Sequence, residues 1–266
     1  MTTPRKPASQ KGFTLLEMMV SAAIFIVICG AMFMLLNMSQ LQYQTDSQIL
    51  NSFQQARLGL DQIARDANDA GYPPQNHFAV TPAANLYVNS PVAWSPTYPA
   101  TPCLIGTAGG GTCTTPSDFD VILEGDVYGT GTVNWIRYQL QGTVLMRGVV
   151  NKVAGADPAA TTAAAGVMFP YVVNVMNNAT VAQIAQFTAS YPAMYPGGNP
   201  VPIFQFNCDT PAGPVLCQNA GANNSPANVR DIEITLIVQT PQVDAQTGAP
   251  RLVELNGRGH RINPNQ

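Results

Sequence analysis

An α+β fold is predicted for this chain of 266 residues: one long N-terminal helix, membrane-apolar over its first half, packed on an antiparallel β-sheet domain. Three observations predict it. An unbroken apolar run follows residue 12, a helical spacing of apolar residues continues to residue 70, and the remainder alternates short β-like runs with Gly/Pro-rich connections.

The first element begins in "KGFTLLEMMVSAAIFIVICGAMFMLLN". Nineteen residues from Met18 to Leu36 carry no charge. At 1.5 Å per residue that helix spans roughly 28 Å, close to the ~30 Å hydrocarbon layer of a bilayer. Arg5, Lys6 and Lys11 precede the run with no acid among them, so the N-terminus is expected in the cytoplasm and everything after residue 38 across the membrane. A cleaved secretory signal fits poorly, because its apolar core is shorter and ends at small residues, whereas this run ends in "FMLLNMSQ". A plain signal anchor accounts for the run but gives no reason for Glu17, an acid at its start.

The helical pattern continues. Ile49, Phe53, Ala56, Leu60, Ile63, Ala67 and Ala70 recur at three- and four-residue spacing. Gln54, Gln55, Arg57, Asp61, Arg65, Asp66 and Asp69 stand between them as an expected solvated face. Gly71-Tyr72-Pro73-Pro74 is the stop signal. A helix from Phe13 to Ala70 measures about 87 Å at 1.5 Å per residue.

Strands are expected over Phe119–Leu123, in a hairpin of Thr132–Gln139 and Thr143–Val149 around Gln141-Gly142, and over Tyr171–Val175 and Ile203–Phe206. In "VRDIEITLIVQ", Val229–Gln239, Ile232, Ile234, Leu236 and Val238 alternate with Asp231, Glu233, Thr235 and Ile237, nearly the period of a half-buried strand. The Pro-rich loops "VNSPVAWSPTYPATP" and "ASYPAMYPGGNPVP" are longer than usual connections and are expected to be surface decoration.

Lys and Arg total 12 against 15 acids, so composition forces no basic patch and no nucleic-acid partner is expected. Without residues 1–12, nine basic residues face 15 acids, a formal charge of −6. Arg251, Arg258 and Arg261 are expected to be solvated tail charges; a local nucleic-acid patch is the alternative. Cys29 lies in the apolar run as a small packing residue. The other cysteines form two close pairs, "CLIGTAGGGTC" and "CDTPAGPVLC", which suggests local disulfides Cys103–Cys113 and Cys208–Cys217. Four cysteines allow three connectivities, and spacing does not select one. A four-cysteine zinc site would want C-x2-4-C spacings, which are absent.

Nothing in the chain points to a catalyst, metal or cofactor. His77 and His260 stand in no triad or metal motif, and "TAGGGT" lacks the lysine and helix of a P-loop. Glu124-Gly125-Asp126 is expected to be a solvated turn, with calcium ligation as the alternative.

Gly12-Phe13-Thr14-Leu15-Leu16-Glu17, after a basic leader and before a long apolar run, resembles the processing motif of type IV prepilins. The resemblance implies that a prepilin peptidase/methyltransferase cuts between Gly12 and Phe13 and methylates the Phe13 amine. It further implies that Glu17 pairs with the N-terminal amine of a neighbouring subunit during assembly. An acid at the centre of a membrane helix costs about 2.5–3.5 kcal/mol, less near the interface, and the helix N-terminus lessens that cost further. Two charges that are each costly in lipid are less so together. A pilin-like fold follows from the resemblance, with 1–12 as cleaved leader, 13–38 as transmembrane and assembly helix, 39–70 as amphipathic helix and 71–266 as β-rich globular domain. Many major pilins carry helix breakers at two places that match Ile26 and Met34; here the only breaker in the run is Gly30.

"RLGLDQIARDANDAGYPP" and "VRDIEITLIVQT" are similar to PilW-type minor pilins and J-type minor pseudopilins. That similarity implies a subunit of a type IV pilus or type II secretion pseudopilus, acting in assembly initiation or a tip complex. Its expected partners are other minor and major pilins or pseudopilins and the inner-membrane assembly platform. Its expected location is the inner membrane, with a cytoplasmic leader and periplasmic domain, and then the filament. A single-pass membrane-anchored periplasmic binding protein or enzyme is the alternative.

Overall fold

The computed structural model describes residues 12–106, 112–241, 243–244 and 248–261. The basic residues Arg5, Lys6 and Lys11 and most of "TAGGGT" lie outside them. One helix, α1, runs from Leu15 to Asp69 without interruption through Gly30. Its first buried residue is Ser52. The apolar half, including Phe25, Phe33 and Leu35, therefore stands clear of the domain with its side chains exposed. It is long and apolar enough to cross a membrane.

From Ser52 onward α1 is a packing helix. Ala56, Leu60, Ile63 and Ala67 are buried, as the spacing predicts, and Ile49 and Phe53 are half-buried. Asp66 corrects the expected solvated face: it too is buried. The chain leaves the helix at Gly71, whose φ of 101° suits glycine, and the Gly71 N–H donates to the Glu124 carbonyl at 2.9 Å.

Two antiparallel sheets lie beside the helix. The first has strands in chain order: β1 (Val92–Ala93), β2 (Asp120–Gly125), β3 (Asn134–Gln141), β4 (Val144–Asn151) and β5 (Met168–Val172). The predicted hairpin is β3–β4, pairing Asn134 with Asn151 through to Gln141 with Val144. A short helix, α2 (Pro158–Thr162), precedes β5. The second sheet has the order β7-β6-β8-β9, from β6 (Phe204–Thr210), β7 (Gly213–Leu216), β8 (Val229–Gln239) and β9 (Leu252–His260). The chain beyond β5 joins the sheets: Gln239 N–H donates to the Asn174 carbonyl at 2.9 Å and Met176 N–H to the Ile237 carbonyl at 2.7 Å.

The C-terminal segment is not a tail. Residues 252–260 pair with the whole length of β8, Asp231 opposite His260 and Gln239 opposite Leu252. One face of β9 meets α1, with Gly257 against Leu60 and Gly259 against Ala67. The alternate residues Glu254, Asn256, Arg258 and His260 are exposed. The Pro-rich loops are likewise more than decoration, since Trp94, Tyr98 and Tyr195 are buried. Sequence reading also missed α3 (Val181–Ser190), which carries a capping box of Thr180 and Gln183. Its Ile184 and Phe187 join Met176, Tyr195, Ile237 and Leu252 in a second, smaller core.

Candidate processing and assembly site

The N-terminal residues form a small, open site. Thr14 has extended backbone and caps α1, its hydroxyl accepting the Glu17 N–H at 3.3 Å. Glu17 returns the contact. One carboxylate oxygen, Oε2, accepts the Thr14 N–H at 2.9 Å and its hydroxyl at 3.0 Å. Two orphan donors at the helix start are thereby satisfied reciprocally. The acid also sits at the positive end of the helix dipole. Thr14 was missed as a functional residue, although its T-x-x-E spacing to Glu17 is the sequence signature of a capping box.

Gly12 and Phe13 precede this cap. Phe13 is 85% exposed, and a Cβ placed on Gly12 would meet nothing within 4 Å. The peptide bond between them therefore lies on an uncovered segment next to an ordered helix start. Cleavage there would create an amine one residue before the cap and four before Glu17.

The domain is fixed to α1 through buried polar groups. Asp66 accepts the Tyr138 hydroxyl at 2.5 Å and Arg147 Nη2 at 2.9 Å. The Arg147 guanidinium also lies over the Tyr138 and Tyr171 rings. Burial, joined by the Asp66 charge, pushes the Tyr138 hydroxyl well above its usual range. This links the second half of α1 to β3, β4 and β5 of the first sheet.

Glu124 is not in a solvated turn. It is buried at the end of β2, and its carboxylate receives Lys152 Nζ at 2.6 Å, Trp135 Nε1 at 2.9 Å, Asn89 N–H at 2.9 Å and the Tyr98 hydroxyl. A buried charge needs such partners. Burial first, and the Glu124 charge second, push the Tyr98 hydroxyl far up. Asp126 is used differently, accepting Thr130 N–H at 3.0 Å and Gly131 N–H at 2.7 Å. These two acids thus stabilise a strand end and a turn. Among the described residues no group of three or more His, Cys, Asp or Glu could hold a metal ion.

Cys103 is bridged to Cys113 and Cys208 to Cys217, while Cys29 is free. Asn224 links the two stapled regions by accepting Ile105 N–H at 3.0 Å and donating to the Ile105 carbonyl at 3.1 Å. The C-terminal arginines are engaged, Arg251 and Arg258 while still partly exposed and Arg261 while buried. Arg251 pairs with Asp244 at 2.6 Å and Arg258 with Asp231 at 2.5 Å, and His260 also contacts Asp231. Arg261 is buried and donates to the Ala227 and Val229 carbonyls. Burial pulls its basicity down to about 10, with Asp209 opposing. They do not form a free basic patch.

Residues 7–33 match the family model of the prokaryotic N-terminal methylation motif. The match covers Gly12, Phe13, Thr14, Glu17 and most of the apolar run. No curated protein matches the chain.

Proposed function

We propose that this chain is a type IV pilin-like subunit, processed by prepilin peptidase and built into a filament as a minor pilin or pseudopilin. The observation that carries the reading is the methylation motif at residues 7–33, set where an exposed segment enters a capped helix whose apolar half no part of the domain covers. In this reading residues 1–12 are the leader, Phe13 becomes the methylated N-terminus, and 13–38 anchors the subunit before assembly. Residues 39–70 and 71–266 then form the body displayed outside the membrane.

Glu17 is the assembly residue. Its Oε2 takes both Thr14 donors, while Oε1 has no described partner and is open to the amine of a neighbouring subunit. Pairing would neutralise two charges in an apolar bundle, favouring lateral docking and fixing axial register. The minor-subunit assignment is supported by the likeness of Arg57–Pro74 and of β8 to PilW-type pilins and J-type pseudopilins. A role in initiation or at the tip follows from that likeness. The subunit is built as a structural part, with its buried acids committed to holding the fold.

N-terminal peptide mass spectrometry on protein from its native membrane tests the reading. A peptide beginning at Phe13 with one added methyl group is expected. A chain retaining residues 1–12 would overturn it and leave a membrane-anchored protein of another class.

A further inference from the structure

Just past the far end of α1, a polar groove lies over a buried ion pair. Its walls are the turn from Gln75 to Thr81 and the segment from Tyr87 to Asn89. They are tied together at one end, where the Val88 N–H donates to the Pro73 carbonyl at 2.8 Å. Gln75, Asn76, Phe78, Thr81, Tyr87 and Asn89 line a cavity of about 490 Å³. Ligand pockets run from roughly 300 to 1,000 Å³. At 1.5 Å per residue the end of α1 at Asp69 lies about 50 Å beyond Leu36, so the groove opens far from the apolar run.

Glu124 and Lys152 lie beneath the floor, their side chains no more than 2% exposed. A buried pair adds little net stability, so what it holds in place is the informative part. Lys152 Nζ donates to Glu124 at 2.6 Å, to the Tyr87 carbonyl at 2.8 Å and to Asn89 Oδ1. The ammonium also lies 5.2 Å from the centre of the Tyr87 ring. Glu124 in turn accepts the Asn89 N–H at 2.9 Å. An ammonium can only donate, so the oxygen of the Asn89 amide is fixed toward it. That leaves Asn89 Nδ2, on an exposed residue and without a described partner, as an oriented donor in the groove.

The same pair sets the charge of a ligand. An ammonium has three N–H donors, and those of Lys152 are taken by Glu124, Tyr87 and Asn89. The Glu124 carboxylate is filled by Lys152, Asn89, Tyr98 and Trp135. The described lining residues include no charged side chain. An anion therefore meets no free cation in the groove, and a cation no free carboxylate. What remains is neutral and two-way. The Gln75 and Asn76 carboxamides and the Thr81 hydroxyl each donate and accept, are exposed, and make no described side-chain bond. Beside them stand two half-buried rings, Phe78 and Tyr87. A pyranose presents the matching groups: hydroxyls that donate and accept around its rim, and apolar C–H faces that cover an aromatic ring.

We infer that this groove binds a neutral glycan, a pyranose ring lying on Phe78 and Tyr87 with its hydroxyls on Gln75, Asn76, Thr81 and the fixed Asn89 amide. The site is built from the domain alone, so it stands or falls apart from the processing of the N-terminus. Full-length protein in a detergent without a sugar headgroup is titrated with the methyl glycosides of glucose, galactose, mannose and N-acetylglucosamine, and with methyl glucuronide. Binding is followed by saturation-transfer NMR. Transfer to the ring C–H protons of at least one neutral glycoside is expected, with the charged glucuronide bound several-fold more weakly. The double variant Gln75→Ala/Asn76→Ala breaks no described side-chain bond and should weaken that binding by about fivefold or more. Asn89→Asp keeps an oxygen toward Lys152 but loses the Nδ2 donor, and should weaken it by a similar factor. No transfer to any of the neutral glycosides overturns the inference. So does equal or tighter binding of the glucuronide, or unchanged affinity in either variant.

Discussion

Gly259 of β9 and Ala67 of α1 are packed so closely that a Cβ built on Gly259 would fall 2.3 Å from the Ala67 Cβ. The neighbour is the short, stiff methyl of a helical alanine, so nothing can swing aside. Only glycine lets β9 run under the helix at this distance. Gly257, two residues earlier on the same face, has Leu60 as its neighbour, with a would-be contact of 2.8 Å to a side-chain end that can move. Gly259→Ala is therefore expected to destabilise by about 1–3 kcal/mol through overpacking, and Gly257→Ala by less. Denaturant melts of the two variants side by side check the order as well as the size.

Asp66 is the second tie between helix and sheet. Its carboxylate is almost wholly buried and serves both Tyr138 and Arg147. Removing one partner of a buried pair leaves the other uncompensated, at a cost of about 3–5 kcal/mol. Arg147 keeps some contact with water, which places Asp66→Ala toward the lower end of that range. Asp66→Asn retains an acceptor for the Tyr138 hydroxyl and should recover part of the loss. Equal stability of wild type and Asp66→Ala would remove this pair from the account.

These two contacts show what was legible in the sequence. The helix, the β3–β4 hairpin and β8 were readable because each buries one face and so repeats its apolar residues at 3.6 or 2 residues. β9 was not, since "NGRGH" has the composition of a turn. Its glycines serve close approach to a helix, a tertiary requirement with no local periodicity. Asp66 and Glu124 were read as solvated because single acids usually are, and their partners lie 81 and 28 residues away. Trp94 and Tyr98 sit in a loop without regular repeat, so nothing local marks them as core. At the N-terminus Gly12, Phe13 and Glu17 were legible as a motif. Thr14 was missed there, although its T-x-x-E spacing to Glu17 is that of a capping box.

Asp231 sets an expected acid limit for the β8–β9 pair. Burial raises its carboxyl, but the His260 and Arg258 contacts together outweigh that and hold it below the usual carboxylate range. A carboxyl lowered in the folded state stabilises fully above its unfolded value, near ~3.9, and that contribution is lost as pH falls through the lower folded value. Melting temperature followed from pH 6 downward should therefore fall below about pH 4 more gently in Asp231→Asn than in wild type. Identical acid slopes would exclude the contribution.

The two bridges are expected to act locally. Each closes a loop of about ten residues, worth roughly 2.5–3 kcal/mol in the chain-entropy model. Cys208 belongs to β6, an inner strand of its four-stranded sheet, whereas Cys103 and Cys113 flank an irregular loop. The paired variant Cys208→Ser/Cys217→Ser should lower the melting temperature by at least as much as Cys103→Ser/Cys113→Ser. Exchange protection in β6 distinguishes the two, being lost only in the former.

Thr14 and Glu17 separate capping from assembly. Thr14→Ala removes the hydroxyl that accepts the Glu17 N–H and should weaken the first turn by about 0.5–2 kcal/mol. Hydrogen exchange in detergent would register this as faster exchange at the Glu17 amide, with cleavage after Gly12 retained. Glu17→Ala loses the other half of the box and, under the proposed function, the partner for a neighbouring amine. It should still be cut before Phe13, yet be depleted from sheared filaments by roughly tenfold for each 1.4 kcal/mol that the pairing contributes. If the carboxylate served only as a cap, both variants would fray the helix and enter filaments alike. A Thr14→Ala protein that assembles beside a Glu17→Ala protein that does not would show that one oxygen caps the helix while the other docks the next subunit.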